Sequence, residues 1–353
     1  MKLWAMKRLN GLDALRGIAA VSVLLHHIGI VSLGMTSNNA YLAVDFFFML
    51  SGYVMARTYE GRLAAGLGAG KFLFLRYVRL WPVMAFAFLL GIPDALTGMG
   101  LTETAAFAFV VNMALLPYWA AWAPYPYNVA AWSIFYELVA NLMHAVLFWR
   151  VRTGLLLFCV FAMGAIFICR GLTAPILRID GMGAFGFAGG LPRVLMSYPL
   201  GIVLYRIWKD TPPIGIPAPV AFLTMPAVFI GTELSGYHNI FIDLVFILIL
   251  CPAMMAAALK WEPPVVATKL GGISFPLYAV HVPVMTLMSI SGLSVFLAIP
   301  ASFILSVLVD RAVNRLRRSR GPMAQSEVMA SMTPLPIEGH ETAGAGPHNA
   351  HSA

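Results

Sequence analysis

The chain has 353 residues, of which 60% are hydrophobic and only 11% charged, with a mean hydropathy of +0.82. Soluble domains hold about 45–50% apolar and about 25% charged residues, so this excess excludes a soluble globular fold and requires the bilayer as solvent. The formal charge of +8 lies mostly in short clusters between apolar runs, the pattern of cytoplasmic loops and not of a nucleic-acid-binding face, which excludes nucleic acid as a partner.

A crossing helix needs about 20 mostly apolar residues. In chain order the runs of that kind are roughly 11–33, 40–58, 78–96, 103–119, 128–149, 153–170, 193–208, 217–232, 239–259, 273–291 and 293–310. Lys2, Lys7 and Arg8 place the N-terminus in the cytoplasm, and Arg57, Arg62, Lys71, Arg76 and Arg79 fall inside after two crossings. If every run crossed, Arg150, Arg206, Lys260 and the cluster from Arg311 to Arg320 would land outside. The segment 103–127 is therefore expected not to cross: its apolar part is short, and it ends in the aromatic and Pro-rich stretch from Pro117 to Tyr127, which suits the membrane interface. The expected fold class is all-α, a polytopic integral membrane helix bundle of about ten transmembrane helices plus one re-entrant or interfacial segment, with both termini cytoplasmic. Arg170, Arg178 and Arg193, which flank a Gly-rich external loop from Gly181 to Gly190, are exceptions to the charge rule.

The first run differs from a signal peptide in carrying Asp13, Arg16, His26 and His27, and it reads as the first crossing. From Gly321 onward the chain turns polar and rich in Pro, Gly, Ala and Ser. The expected domains are thus a transmembrane domain over 1–320 and a disordered cytoplasmic tail over 321–353. Cys159, Cys169 and Cys251 sit inside apolar runs without the spacing of a zinc site or a disulfide framework, and no metal is expected.

A charge at the centre of a membrane helix costs about 2.5–3.5 kcal/mol on insertion scales, so each one kept there needs a partner or a task. In the first run Arg16 and His27 are eleven residues apart, about three helical turns, which puts both on one face about 16 Å apart along the axis. Arg16 falls near the cytoplasmic boundary, where it equally suits a snorkelling anchor, and His27 falls in the outer half. His26 points about 100° away around the helix. Asp45 opens the second run at a depth similar to that of His27, where it suits a partner for the imidazole or a helix end facing external water. Arg76 and Arg79 form an (i, i+3) pair at the cytoplasmic edge of the third run, suited to phosphate and equally to anchoring. In the fifth run Ser133, Glu137, Asn141 and His144 recur on one face behind Trp132, a stripe that lines a polar cavity or forms an interhelical hydrogen-bond seam. Glu137 is expected in the outer half. Tyr278 and His281 in the tenth run either line the same cavity or are buried and satisfied.

Taken in order, these segments resemble the membrane-bound acyltransferase family 3, the bacterial acylases of lipopolysaccharide, exopolysaccharide and Nod factor. The resemblance rests on Leu12-Asp13-Ala14-Leu15-Arg16-Gly17 through His26-His27, on Val44-Asp45-Phe46-Phe47-Phe48 with Leu50-Ser51-Gly52-Tyr53, and on Arg76-Tyr77-Val78-Arg79-Leu80-Trp81-Pro82. It continues in Trp132-Ser133 with Glu137, and in Ile273-Ser274-Phe275-Pro276-Leu277-Tyr278 followed by His281, and so covers roughly residues 8–310.

The resemblance implies a bacterial inner-membrane O-acyltransferase that moves an acyl group, most often acetyl, from cytoplasmic acyl-coenzyme A to a hydroxyl of a carbohydrate or glycolipid, with possible polysaccharide-biosynthesis partners. It implies that His27 and Arg16 are essential and that Arg76 and Arg79, with Arg16, hold the coenzyme A phosphates. His27 is expected to act as general base, a role worth about 10²–10⁴ in rate, or as an acyl-carrying nucleophile, with Asp45 or Glu137 orienting its ring. Ser133, Trp132, Tyr278 and His281 are expected to line the cavity, and Trp119, Trp122 and Trp132 to offer rings for sugar stacking. Some members of that family carry a C-terminal extracytoplasmic hydrolase-like domain, for which the tail here is too short and too polar, so the bundle is expected to act alone or with a separate partner. The alternative is a transporter or flippase in which His27, Asp45, Glu137 and His281 form a proton relay, although the chain shows no pair of matching halves.

Overall fold

Inside a bilayer no water is at hand for backbone N–H and C=O groups, so a chain this apolar has to satisfy them within helices. The computed structural model describes residues 8–34, 39–119, 121, 123–173, 186–213, 215–237 and 239–319. The expected tail 321–353, with Lys2, Lys7, Trp122, Arg178 and the first half of the Gly-rich loop, lies outside the described residues. Among the described residues all regular structure is helical, and ten helices are long and apolar enough to cross a membrane.

Three of these begin the chain: α1 (Asn10–Leu33), α2 (Ala43–Ala64) and α3 (Ala69–Leu90). The short helices α4 (Ile92–Met99) and α5 (Glu103–Met113) follow, then α6 (Ala131–Met143), α7 (Thr153–Thr173), α8 (Gly190–Trp208) and α9 (Ala218–Ser235). The last are α10 (Ile240–Val245), α11 (Cys251–Lys260), α12 (Val265–Ile290) and α13 (Ala298–Ser319). A π-helical turn, His144–Phe148, extends α6, and a second, Phe246–Leu250, joins α10 to α11 into one span.

At 11 residues α5 is about 16 Å long, half the hydrocarbon thickness, in keeping with a segment that does not cross. The aromatic stretch after it folds back: the Tyr125 hydroxyl donates to the Leu115 carbonyl at 2.9 Å and the Tyr127 hydroxyl to that of Ala105 at 2.6 Å. Both rings are buried.

Two helices start about two turns ahead of their apolar runs. The third run, expected at 78–96, belongs to a helix that starts at Ala69 and stops before Gly91, so Arg76 and Arg79 lie two and three turns inside α3 and not at its edge. The tenth, expected at 273–291, starts at Val265 just after Pro263-Pro264 and puts Tyr278 at mid-helix. Pro283 within α12 leaves the Ala279 carbonyl without its helical donor, and the buried amide of Asn128 replaces it at 2.8 Å.

Small residues draw the central helices together. Along the α2–α8 pair, a methyl group at Gly52 would overlap the Tyr198 carbonyl and one at Gly201 the Met49 carbonyl. At the α1–α12 pair, one at Gly271 would overlap the Asp13 carbonyl. Lipid offers no hydrophobic drive for helices to associate, so such close approach is how they gain dispersion contact.

Candidate functional site

Six helices enclose a cavity of about 400 Å³ that reaches from Arg8, ahead of α1, and Arg317, near the end of α13, to Ser133 and Tyr278 deep in the bundle. The two ends of the described chain therefore lie at the same end of the bundle, around the mouth of this cavity. Its wall carries Arg8, Arg16, Arg76, Arg79 and Arg317 against Asp13, Glu137 and Asp310, a surplus of guanidiniums. Arg8 Nε donates to Asp13 Oδ2 at 2.6 Å, and Arg16 Nη1 is 3.9 Å from Asp13 Oδ1. Arg79 has no carboxylate within ion-pair distance among the described residues. Its carbonyl accepts from Arg317 Nη2 at 3.0 Å, which ties α13 to α3.

Arg76 is buried, and its Nη2 donates to Glu137 Oε1 at 2.7 Å, with Ser51 Oγ donating to the same oxygen at 3.1 Å. Glu137 thus stands level with the arginines and not with His27, because α3 begins two turns earlier than its apolar run. The polar stripe of α6 divides. Ser133 and Glu137 face the cavity, whereas Asn141 and His144 lie 3.2 Å from the Tyr198 hydroxyl and form an interhelical seam.

Beyond Ser133 lies a second, much smaller cavity of about 30 Å³, lined by Val23, His26, His27, Tyr41, Val44, Ala130, Trp132, Arg193 and Tyr278. Arg16 opens onto the large cavity and His27 onto the small one, three turns further along α1. His26 lines the small cavity as well, its ring edge-on to that of His27 with centroids 5.3 Å apart.

The hydrogen bonds assign the tautomers. A carbonyl only accepts, so His281 Nδ1, 2.6 Å from the Tyr278 carbonyl, carries the proton, and in the neutral ring Nε2 is left as an acceptor. His27 Nδ1 lies 2.9 Å from the Val23 carbonyl and 3.3 Å from His281 Nε2, two acceptors, and so also carries a proton. The lone pair of neutral His27 is thereby placed on Nε2.

Neither Asp45 nor Glu137 makes a hydrogen bond to His27. Asp45 instead takes Arg193 from α8, with Nη2–Oδ2 at 2.5 Å and Nε–Oδ1 at 3.3 Å, and accepts from Ser197 Oγ. Both partners are fully buried. Arg193 also lies over Trp132, 5.4 Å from the ring centroid, and donates to the Tyr41 carbonyl. Trp132 is consequently buried and covers this guanidinium instead of offering a free face, whereas Trp119 stays exposed. Arg8, Asp13, Arg193, Asp310 and Arg317 are charged wall residues not expected at the site, although Asp13 stands within the first motif.

Residues 9–309 match the family model described as an acyltransferase domain. The chain is also similar to "Protein 2 in picA locus" of Rhizobium radiobacter, with 34% identity over 157 residues that cover 38% of this chain and 79% of that protein. No solved structure matches it.

Proposed function

Because the chain belongs to the acyltransferase domain family and is a multi-pass membrane protein, we propose that it is an O-acyltransferase drawing on acyl-coenzyme A, most readily acetyl-coenzyme A, to acylate a hydroxyl of a cell-surface or exported carbohydrate or glycolipid. The observation that carries this reading is the pair of adjoining cavities, one rich in guanidiniums and one holding a histidine with its lone pair on Nε2. The mouth framed by Arg8 and Arg317 is the cytoplasmic end by the charge rule, in a bacterial inner membrane with both termini cytoplasmic.

Arg79, Arg16, Arg76 and Arg317 hold the donor's phosphates, since a guanidinium binds phosphate oxygens bidentately. The acyl end of the donor reaches the small cavity. His27 Nε2 takes the proton of the acceptor hydroxyl as its oxygen attacks the thioester carbonyl. The C–S bond then breaks, the acyl group stays on the sugar oxygen, and the proton returns from His27 to the departing thiolate. His281 and the Val23 carbonyl hold the ring in the tautomer this requires, and Asp45 acts through Arg193 on the cavity wall and not on the imidazole. No step calls for a metal.

The test is transfer of label from radiolabelled acetyl-coenzyme A into the glycan and lipid fractions of membranes carrying wild type or His27→Ala at matched expression. Label is expected with wild type alone. No transfer from acetyl- or succinyl-coenzyme A in either sample would sink the reading and favour transport of an anionic substrate along the same path.

A further inference from the structure

The two cavities share two wall residues, Val44 and Tyr278. Tyr278 is also fastened on both sides of the wall. Its hydroxyl is 2.7 Å from Ser133 Oγ, which faces the large cavity, and donates at 3.2 Å to the carbonyl of Ala130, which lines the small one. Its ring stands between Phe47 on the large-cavity side, with centroids 5.9 Å apart, and His281 on the far side, at 5.6 Å.

Resting on the acyl-transfer reading above, we propose that Tyr278 is the partition an acyl group has to pass to reach His27, and that the space behind it sets the length of the acyl chain. A water occupies about 10–15 Å³ of such space, so the small cavity at about 30 Å³ holds roughly two waters. An acetyl group, a methyl and a carbonyl, is about that size. A longer chain meets Trp132 and the Arg193–Asp45 pair, which is fully buried and held from three sides. Movement of the Tyr278 side chain breaks its two hydroxyl contacts and its ring contacts with Phe47 and His281, and Ser133 Oγ keeps the Ala130 carbonyl at 3.2 Å as an acceptor when Tyr278 leaves. Tyr278 can thus leave this wall without stranding a buried charge or the Ala130 carbonyl, whereas enlarging the pocket behind it means displacing Trp132 or the Arg193–Asp45 pair.

The experiment measures transfer from acetyl-, butyryl- and hexanoyl-coenzyme A in membranes carrying wild type, Tyr278→Ala, Tyr278→Phe and Tyr278→Trp at matched expression. Wild type is expected to favour acetyl over hexanoyl by at least about tenfold, the discrimination a rigid apolar pocket achieves for an extra methylene. Tyr278→Ala is expected to narrow that ratio to about threefold or less, whereas Tyr278→Phe, which keeps the ring, retains it, and Tyr278→Trp, which enlarges the ring, widens it. An unchanged ratio in a Tyr278→Ala protein that still transfers acetyl overturns the partition and leaves the acyltransferase standing. Equal wild-type rates for acetyl and hexanoyl overturn it as well, without need of any variant. Should Tyr278→Ala fail to accumulate, Tyr278→Trp decides, since an unchanged ratio there also rejects the proposal. Absence of transfer from all donors by wild type rejects the parent reading and this one together.

Discussion

His281 Nε2 lies 3.3 Å from His27 Nδ1, so a histidine on α12 serves as hydrogen-bond acceptor for one on α1 across 254 residues of sequence. The first prediction follows from this contact. His281→Ala removes one of the two acceptors that hold the His27 proton on Nδ1, and is expected to lower kcat by roughly tenfold with KM for acyl-coenzyme A unchanged. His281→Gln, whose amide oxygen also accepts, is expected to recover part of the loss. A merely structural role would lower the amount of active protein in both variants alike, which titration of active sites would reveal.

Arg76 and Arg79 share one helix face but not one situation. Arg76 is paired with Glu137 at 2.7 Å, with side chains 6% and 19% exposed, and Arg79 has no carboxylate partner among the described residues. Removing one member of a buried pair costs about 3–5 kcal/mol because the other is left uncompensated. Glu137→Ala and Arg76→Ala are therefore expected to lower the melting temperature of the detergent-purified protein. Arg79→Ala is expected to leave the melting temperature in place and raise KM for the donor. Equal thermal losses for Arg76→Ala and Arg79→Ala would contradict the assignment.

The Asp45–Arg193 pair is the most enclosed ion pair described. Asp45→Asn strands a buried guanidinium and is expected to destabilise by about 3–5 kcal/mol. The double variant Asp45→Asn/Arg193→Gln removes both charges, so it is expected to be more stable than Asp45→Asn alone. Additive losses, read from thermal melts of the three variants, would mean that the two side chains do not act as a pair.

How much of this was legible follows from what hydropathy measures. The Arg16–His27 relation was readable because a continuous helix fixes both by periodicity, and α1 runs unbroken from Asn10 to Leu33. The Arg76–Glu137 contact was not, since a sliding apolar window scores each residue against lipid and so leaves Lys71 and Arg76 ahead of the run that starts at 78. A charged residue facing a polar cavity never meets lipid, and α3 accordingly extends nine residues ahead of its apolar run, from 78 back to Ala69. Arg193 was lost for the same reason. By hydropathy its run starts at the arginine itself, at the rim of an expected external loop, whereas the helix begins at Gly190 and carries the guanidinium inside. A signal was present: the ends of two spans held one acid and one base, Asp45 and Arg193, and neither can stay charged inside a membrane alone. The tautomer of His27 had no signal in the sequence, because its partners are a backbone carbonyl one turn back and a side chain on a distant helix.

Two adjacent glycines on α12 provide a test of how the helix contacts hold the site. A methyl group at Gly271 would overlap the Asp13 carbonyl on α1, whereas one at Gly272 would meet nothing within 4 Å. Alanine is favoured over glycine in a helix by about 1 kcal/mol, so Gly272→Ala is expected to be neutral or slightly stabilising. Gly271→Ala has to push α1 from α12, and overpacking of this kind costs about 1–3 kcal/mol. The displacement acts on the two helices that carry His27 and His281, and their 3.3 Å contact has little room to lengthen before the hydrogen bond is lost. Gly271→Ala is therefore expected to lose activity beyond its loss of folded protein, with kcat falling as in His281→Ala. Combining the two substitutions then decides whether the effects share a cause. If the helix displacement acts through the histidine contact, the double variant loses little more kcat than either single one, whereas a full product of the two losses would mean that Gly271 protects some other feature of the site.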